Sequence, residues 1–280
     1  MRTRRLGGTG HRSSLITFGG IVVAGMPQTD ADHIVAEALE AGVNEFDVAP
    51  SYGDSEIKLG QALRGKRDQV FLHCKTLERS FKGAAKELHE SLKRLGTDHV
   101  DLYQFHGVND AAELDEILGP GGAMEAVLAA RDAGHTRLIG ITGHRPRTLV
   151  DALRRFPFDT VMAPVNFVLE HHSHYAEALL AEARRRGVGV IALKALAERP
   201  WLKDEERKYP KCWYKPAEED HLADLALRFA LSEQVATVIP PGDERLLRKA
   251  LAIAQRYRAL RPAERLELAR VADGLTPIFG

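Results

Sequence analysis

The sequence predicts a (β/α)8 barrel of the TIM type, with an N-terminal β-hairpin plug and a C-terminal helix outside the barrel, in one domain over residues 1–280. Three observations lead there. Apolar strand-like runs alternate strictly with amphipathic helix-like segments, eight of each, the pattern that makes a parallel sheet joined by helical crossovers. The length suits such barrels, which commonly reach about 250 residues as one domain. Three strand-like runs also end on reactive side chains: Asn44-Glu-Phe-Asp-Val48 carries Asp47, Val70-Phe-Leu-His-Cys-Lys75 ends on Lys75, and Val100-Asp-Leu-Tyr-Gln-Phe-His106 ends on His106.

Taken in order, residues 3 to 17 read as two short strands around Gly7-Gly-Thr-Gly10, a hairpin suited to closing the bottom of a barrel. The glycines lack the spacing and the long preceding strand of a dinucleotide fingerprint. The plug is assigned to residues 1–14, the barrel to 15–256 and the C-terminal helix with its tail to 257–280. Strands are expected near 15–20, 44–48, 70–75, 100–106, 138–142, 160–166, 188–194 and 235–239. Helices are expected near 30–41, 55–64, 82–95, 122–133, 146–155, 174–186, 221–232 and 243–256. A last helix, near 262–273, begins on Pro262, which a first helical turn tolerates. Between the seventh strand and its helix, Leu196 to Asp220 exceeds the usual span of about 2–6 residues and carries Trp201, Tyr209, Trp213 and Tyr214. It reads as a loop: a lid over the active face, or a surface excursion pinned by its own aromatics.

Composition narrows the function. The 39 basic and 39 acidic residues cancel, so no overall field draws nucleic acid or an anionic membrane, and a small molecule is the expected partner. The state expected is a monomer or weak homo-oligomer. Two cysteines, Cys74 and Cys212, offer neither a disulfide framework nor metal spacing, which points to a reducing, cytoplasmic setting. The arginine-rich start followed by Leu15 to Ala24 faintly imitates an export signal, but the glycine-rich gap and missing cleavage site argue against one. No apolar run reaches the ~20 residues of a membrane span.

The strand ends suggest the chemistry. In a parallel barrel they share one face, where active sites are built. Alternation turns Asp47, Lys75 and His106 inward together, above Glu45, His73 and Gln104. Tyr52 follows Asp47 on a turn opened by Pro50, Gly53 and Asp54. A phenol near pKa ~10 donates a proton readily only beside a cation. Lys75 supplies that cation, Asp47 holds it, and His106 can bond the same reacting oxygen. This is the equipment for protonating a carbonyl oxygen as it gains charge. No side chain supplies hydride, so a nicotinamide cofactor is required.

At these residues the chain resembles the aldo-keto reductase family. The likeness lies in Phe46-Asp-Val-Ala-Pro-Ser-Tyr-Gly53 with Glu56 and Gly60, His73-Cys-Lys75, Leu95-Gly-Thr-Asp-His-Val-Asp-Leu-Tyr-Gln-Phe-His106, Arg137-Leu-Ile-Gly-Ile-Thr142 and Val238-Ile-Pro240. It implies a barrel with a hairpin plug and NAD(P)H extended across its mouth. It implies a catalytic tetrad of Asp47, Tyr52, Lys75 and His106, with Tyr52 as general acid and base.

Several positions depart from the family pattern. Thr142-Gly143-His144 stands where Ser-Asn commonly holds the nicotinamide amide, and Met162 stands where glutamine is usual, leaving Thr142, His144 or Asn166 for that amide. Leu193 occupies the place of a stacking tyrosine, and Lys194 is placed to reach the pyrophosphate. Pro240-Pro-Gly-Asp243 replaces the commoner phosphate loop. Cofactor contacts are therefore expected from Gly20, Asp47, Thr142, Gly143, His144, Asn166, Leu193, Lys194, Ala195, Ile239, Gly242, Asp243, Arg245 and Arg248. Substrate contacts are expected from Tyr52, His106, Trp201 and Trp213. Arg245, Arg248 and Lys249, of which helical spacing lets Arg245 share a face with Arg248 or Lys249, favour NADPH over NADH, with Asp243 pulling the other way.

The function expected is therefore NAD(P)H-dependent reduction of an aldehyde or ketone, or the reverse oxidation of an alcohol. Its rival is a catalytically idle nucleotide sensor. A metal-dependent hydrolase would need clustered ligands at several strand ends, and His171, His172 and His174 have no Cys or carboxylate partner at metal spacing, so no metal is expected.

Overall fold

The computed structural model describes residues 1–280. Eight parallel strands lie in one sheet: β3 (Phe18–Gly19), β4 (Glu45–Asp47), β5 (Phe71–Thr76), β6 (Val100–Phe105), β7 (Thr136–Thr142), β8 (Thr160–Pro164), β9 (Gly189–Leu193) and β12 (Thr237–Val238), each beside its predecessor. A parallel bridge between Ile16 and Val238 joins last strand to first. Val238 donates to Leu15 O and accepts from Thr17 N, both at 3.0 Å, so the sheet closes into a barrel. Every predicted barrel strand is present.

The plug is the antiparallel pair β1 (Thr3–Arg5) and β2 (Arg12–Ser14), which stands apart from the barrel sheet. Between its strands Leu6 enters the barrel floor and packs with Phe71, Leu102, Leu138, Met162 and Ile191. Gly7 (φ 53°) makes that approach possible, since a Cβ there would sit 2.3 Å from Gly189 N.

The outer ring comprises α1 (Gln28–Glu40), α2 (Ser55–Ala62), α3 (Phe81–Leu95), α4 (Ala111–Leu118), α5 (Ala123–Asp132), α6 (Pro146–Arg155), α7 (Phe167–Ser173), α8 (Glu177–Arg186), α9 (Asp220–Ser232) and α10 (Glu244–Gln255). Their apolar faces and the outward faces of the strands form a core cluster of 71 buried residues. The family-like residues Glu56 and Gly60 serve here as a joint. Glu56 pairs with Arg94, and a Cβ on Gly60 would meet Leu95 O at 2.4 Å, so α2 lies directly on α3.

Three features were not expected. Helices α4 and α7 are extra, each started by a side-chain cap: Asp110 accepts from Glu113 N, and Asn166 from Val168 N and Leu169 N. The long 196–220 segment is no plain loop, for it holds the antiparallel pair β10 (Ala197–Pro200) and β11 (Tyr214–Pro216). Outside the barrel, α11 (Pro262–Asp273) runs along α7 and α9. His172 reaches Ala272 O at 2.9 Å. Beyond it the tail returns to the barrel mouth, where the Phe279 ring lies 5.1 Å from that of His144 and 5.4 Å from that of Trp213.

Candidate active site

Asp47 and Lys75 are buried at the ends of β4 and β5, 2% and 1% exposed. The Lys75 ammonium donates to Asp47 Oδ1 at 2.5 Å and to Val48 O at 3.1 Å. It lies 5.1 Å from the centre of the Tyr52 ring. Tyr52 sits on a closed turn, its N–H donating to Ala49 O and its carbonyl accepting from Ser55 Oγ at 2.7 Å. His106 meets Tyr52 edge to face with centroids 5.9 Å apart, and Arg79 anchors the His106 carbonyl at 2.8 Å.

The electrostatics follow from these contacts. Burial alone would raise the Asp47 carboxyl, but Lys75 and His73 hold it below its ordinary value. Burial opposes the Lys75 charge, and Asp47 overturns that and raises its pKa. Burial pushes the Tyr52 phenol up despite Lys75, so it is a protonated donor at neutral pH. Burial and Lys75 together drive His106 down to about 3, leaving a neutral imidazole. The arrangement holds a proton on Tyr52 beside a fixed cation and a neutral hydrogen-bonding partner.

These four residues open into a cavity of about 250 Å³. Thr142, His144, Leu193, Lys194, Trp213, Ile239 and Gly242 also line it. Gly20, Gly143, Asn166, Ala195, Trp201, Asp243, Arg245 and Arg248, expected at the site, do not. The reasons are local. Asn166 has all its amide capacity engaged, accepting from Val168 N and Leu169 N and donating to Lys194 O and Ala197 O. Trp201 donates to Cys212 O and packs on Tyr209 and Cys212, bracing the β10–β11 segment from behind. Arg248 turns to Glu37 at 2.9 Å. Arg245 forks onto both oxygens of Asp243, which itself caps α10.

Sequence reasoning missed Lys211, Cys212 and Tyr214, which reach the cavity because the β10–β11 segment crosses the barrel mouth. Lys211 donates to Val22 O at 2.7 Å on the far side and straps the segment down. The clustered aromatics hinted at this covering, but nothing local to Lys211 foretold its partner. Ile21 and Pro241 join the same wall.

Several residues lining the cavity are of the types that could hold the ring end of a dinucleotide. Leu193, Met162 and Ile239 give an apolar floor, and His144 presents a neutral imidazole, lowered to about 4 by burial and Lys194. Pro240 to Gly242 lead to the start of α10, where the Asp243 carboxylate caps the first N–H groups and the Arg245 guanidinium stands beside it. Thr142 Oγ1 already accepts from Gly107 N and retains its own hydroxyl proton to donate.

A closed parallel barrel with an Asp–Lys–Tyr–His cluster at its C-terminal mouth defines a class of barrel enzyme. The aldo/keto reductase family model matches residues 15–246, and the chain belongs to that family. It is 33% identical over 215 residues to L-galactose dehydrogenase of Arabidopsis thaliana, an alignment covering 69% of this chain and 65% of that enzyme. It is 27% identical over 230 residues to aldo-keto reductase YhdN of Bacillus subtilis (strain 168), covering 74% and 67%. The holo form of aldo-keto reductase AKR11C1 from Bacillus halodurans superposes with a TM-score of 0.78 at 25% identity, covering 100% of this chain and 99% of that one. No helix is long and apolar enough to cross a membrane.

Proposed function

We propose that the protein is an NAD(P)H-dependent oxidoreductase that reduces an aldehyde or ketone to an alcohol, or runs the reverse oxidation, with Tyr52 as general acid and base. The observation that carries this reading is the Lys75 ammonium, held 2.5 Å from Asp47 and 5.1 Å from the centre of the Tyr52 ring. When bound, the nicotinamide supplies the two electrons as hydride. The chain does the rest. The substrate oxygen lies toward Tyr52 and the neutral His106, which orients it by a hydrogen bond. As charge grows on that oxygen, the phenol gives up its proton and the nearby ammonium stabilises the phenolate left behind. In the alcohol-oxidising direction the phenolate takes the proton back.

Thr142 and His144 are assigned to the carboxamide end of the cofactor, and Lys211 with the start of α10 to its phosphates. Arg245, at the first turn of α10, favours NADPH. A small carbonyl compound is the partner. An idle sensor would have no use for a phenol kept protonated beside a paired ammonium. Following reduced-cofactor absorbance against a panel of aldehydes and ketones tests the reading, and no turnover of any of them by protein that binds the cofactor would overturn it.

A further inference from the structure

The cavity is lined by three lysines and one acid, and the acid, Asp47, is taken by Lys75. Lys211 lies in the field of Asp54, Asp243 and Glu244 and donates to Val22 O. Lys194 has neither kind of partner. Its ammonium makes no ion pair or hydrogen bond and lies over the rings of Trp213 and Tyr214, 5.4 and 5.3 Å from their centres. An ammonium over aromatic faces is attracted to them, yet keeps its hydrogen-bond donors free.

Its backbone is held for the purpose. Lys194 is one of only two non-glycine residues with positive φ, at 62°. The turn is fixed by Asn166 Nδ2 and Ala197 N, which both donate to Lys194 O, at 3.1 and 2.8 Å. A side chain seldom occupies this region unless its surroundings hold it there, and such residues gather at ligand sites. Lys194 faces the wall of His144 and Trp213, which Phe279 backs, and no carboxylate acts on its charge. Burial pulls the ammonium down to about 8, the cost of a charge that lacks a counterion.

We propose that Lys194 is the receptor for a carboxylate on the substrate, and that the carbonyl compounds taken by this site are short oxo acids. Tyr52, His106 and Lys194 line the same cavity, so the carbonyl of such an acid takes its place at Tyr52 and His106 and its carboxylate at Lys194. His144 is neutral and puts no second charge beside the carboxylate. Lys211 and the α10 start are assigned to the cofactor phosphates, which leaves Lys194 for the substrate. The substrate class rests on the carbonyl-reduction reading above; the anion site does not.

The test compares 4-oxobutanoate with pentanal, a neutral aldehyde of the same length, in the wild-type protein, Lys194→Met and Lys194→Arg. In the wild type kcat/KM for the oxo acid exceeds that for pentanal, and Lys194→Met lowers this ratio by about ten- to a hundredfold, as loss of a hydrogen bond to a charged group does. Lys194→Arg restores most of it. A binding arm needs no turnover: succinate alters the tryptophan fluorescence of the wild-type protein, whose only tryptophans are Trp201 and Trp213, and fails to do so in Lys194→Met. An unchanged ratio in Lys194→Met overturns the proposal, as does wild-type protein that ignores succinate. A weaker dissociation constant for the reduced cofactor with equal losses on both aldehydes assigns Lys194 to the cofactor instead. Succinate binding without turnover of either aldehyde leaves the receptor standing and removes the carbonyl-reduction reading.

Discussion

His73 Nε2 lies 3.0 Å from Glu45 Oε1, and both side chains are wholly buried inside the barrel. They stand two residues behind Lys75 and Asp47 on the same strands. His73 Nδ1 is also 3.6 Å from Asp47, so the interior holds a column of alternating charge, Glu45, His73, Asp47, Lys75. With His73 protonated the column sums to zero, which is what lets four ionisable groups share one dry interior. At its lower end Glu45 Oε2 lies 3.2 Å from His11 of the plug.

Stability should follow this column. Burial opposes the His73 charge, but Glu45 and Asp47 raise it from 6.5 to about 9; burial opposes the Glu45 charge, but His73 lowers it from 4.5 to about 2. The His73 contribution is complete below pH 6.5 and is lost as pH rises through 9. The Glu45 contribution is complete above 4.5 and is lost as pH falls through 2. Urea unfolding should therefore show stability declining between pH 6.5 and 9, and His73→Gln should remove that decline. Breaking the pair by Glu45→Ala should cost about 3–5 kcal/mol near pH 6. A His73→Gln protein with the same alkaline decline as wild type would refute this account.

Tyr52→Phe should lower kcat by about 10²- to 10⁴-fold, the usual worth of a positioned proton donor. The ring still packs against His106, and the phenol is not assigned to the cofactor, so the dissociation constant for reduced cofactor should stay within about twofold. Fluorescence titration and steady-state rates on one preparation measure both. Near wild-type turnover would remove Tyr52 from its role.

The site was legible in the sequence where one strand determines one side chain. Period-two alternation placed Glu45, His73 and Gln104 inside beneath the reactive groups, and all three are at most 1% exposed. Gly140 belongs to the same logic, since a Cβ there would meet Thr160 Oγ1 at 2.3 Å and Gln104 Cγ at 2.9 Å. The less legible part depends on segments that cross the barrel. Asn166 carries a polar amide near the site, but its capping of α7 and its hold on Lys194 O require β9 as a neighbour. Trp201 and Trp213 looked equivalent in a long loop, until the β10–β11 pairing turned Trp213 to the cavity and Trp201 to Tyr209 and Cys212. Arg248 shared a helix turn with Arg245, yet Glu37 of α1 claimed it across 211 residues of sequence.

His106 should not titrate in the working range. Burial and Lys75 take its pKa from 6.5 down to about 3, so the imidazole is neutral at every pH above about 4. The pH profile of kcat/KM should therefore show no inflection near 6.5 that belongs to it. His106→Asn, which keeps a hydrogen-bond donor, should lower the rate without changing the profile's shape. An acid limb near 6.5 that vanishes in His106→Asn would show that the residue acts as an imidazolium.

NADPH should bind more tightly than NADH, and Arg245 should be the reason. Asp243 is the one acid placed to accept ribose hydroxyls, but its carboxylate already caps α10 through Arg245 N at 3.0 Å and takes the Arg245 guanidinium on both oxygens at 2.9 Å. Its charge is thereby largely answered, which removes both its attraction for the hydroxyls of NADH and its repulsion of a phosphate. The guanidinium lies over the Tyr209 ring, 4.6 Å from its centre, and donates to Lys208 O, so it is held at the edge of the strap. It remains 57% exposed and keeps donors for a 2′-phosphate, the planar fork that such a group prefers. Arg248 is engaged by Glu37 and Glu244 instead. Dissociation constants from fluorescence titration decide the matter: Arg245→Ala should weaken NADPH about tenfold, the effect of one lost charge-assisted contact, and leave NADH nearly as before, while Arg248→Ala should change neither. Tighter binding of NADH by the wild-type protein, or an equal loss of NADPH affinity in Arg248→Ala, would show that the phosphate is read elsewhere.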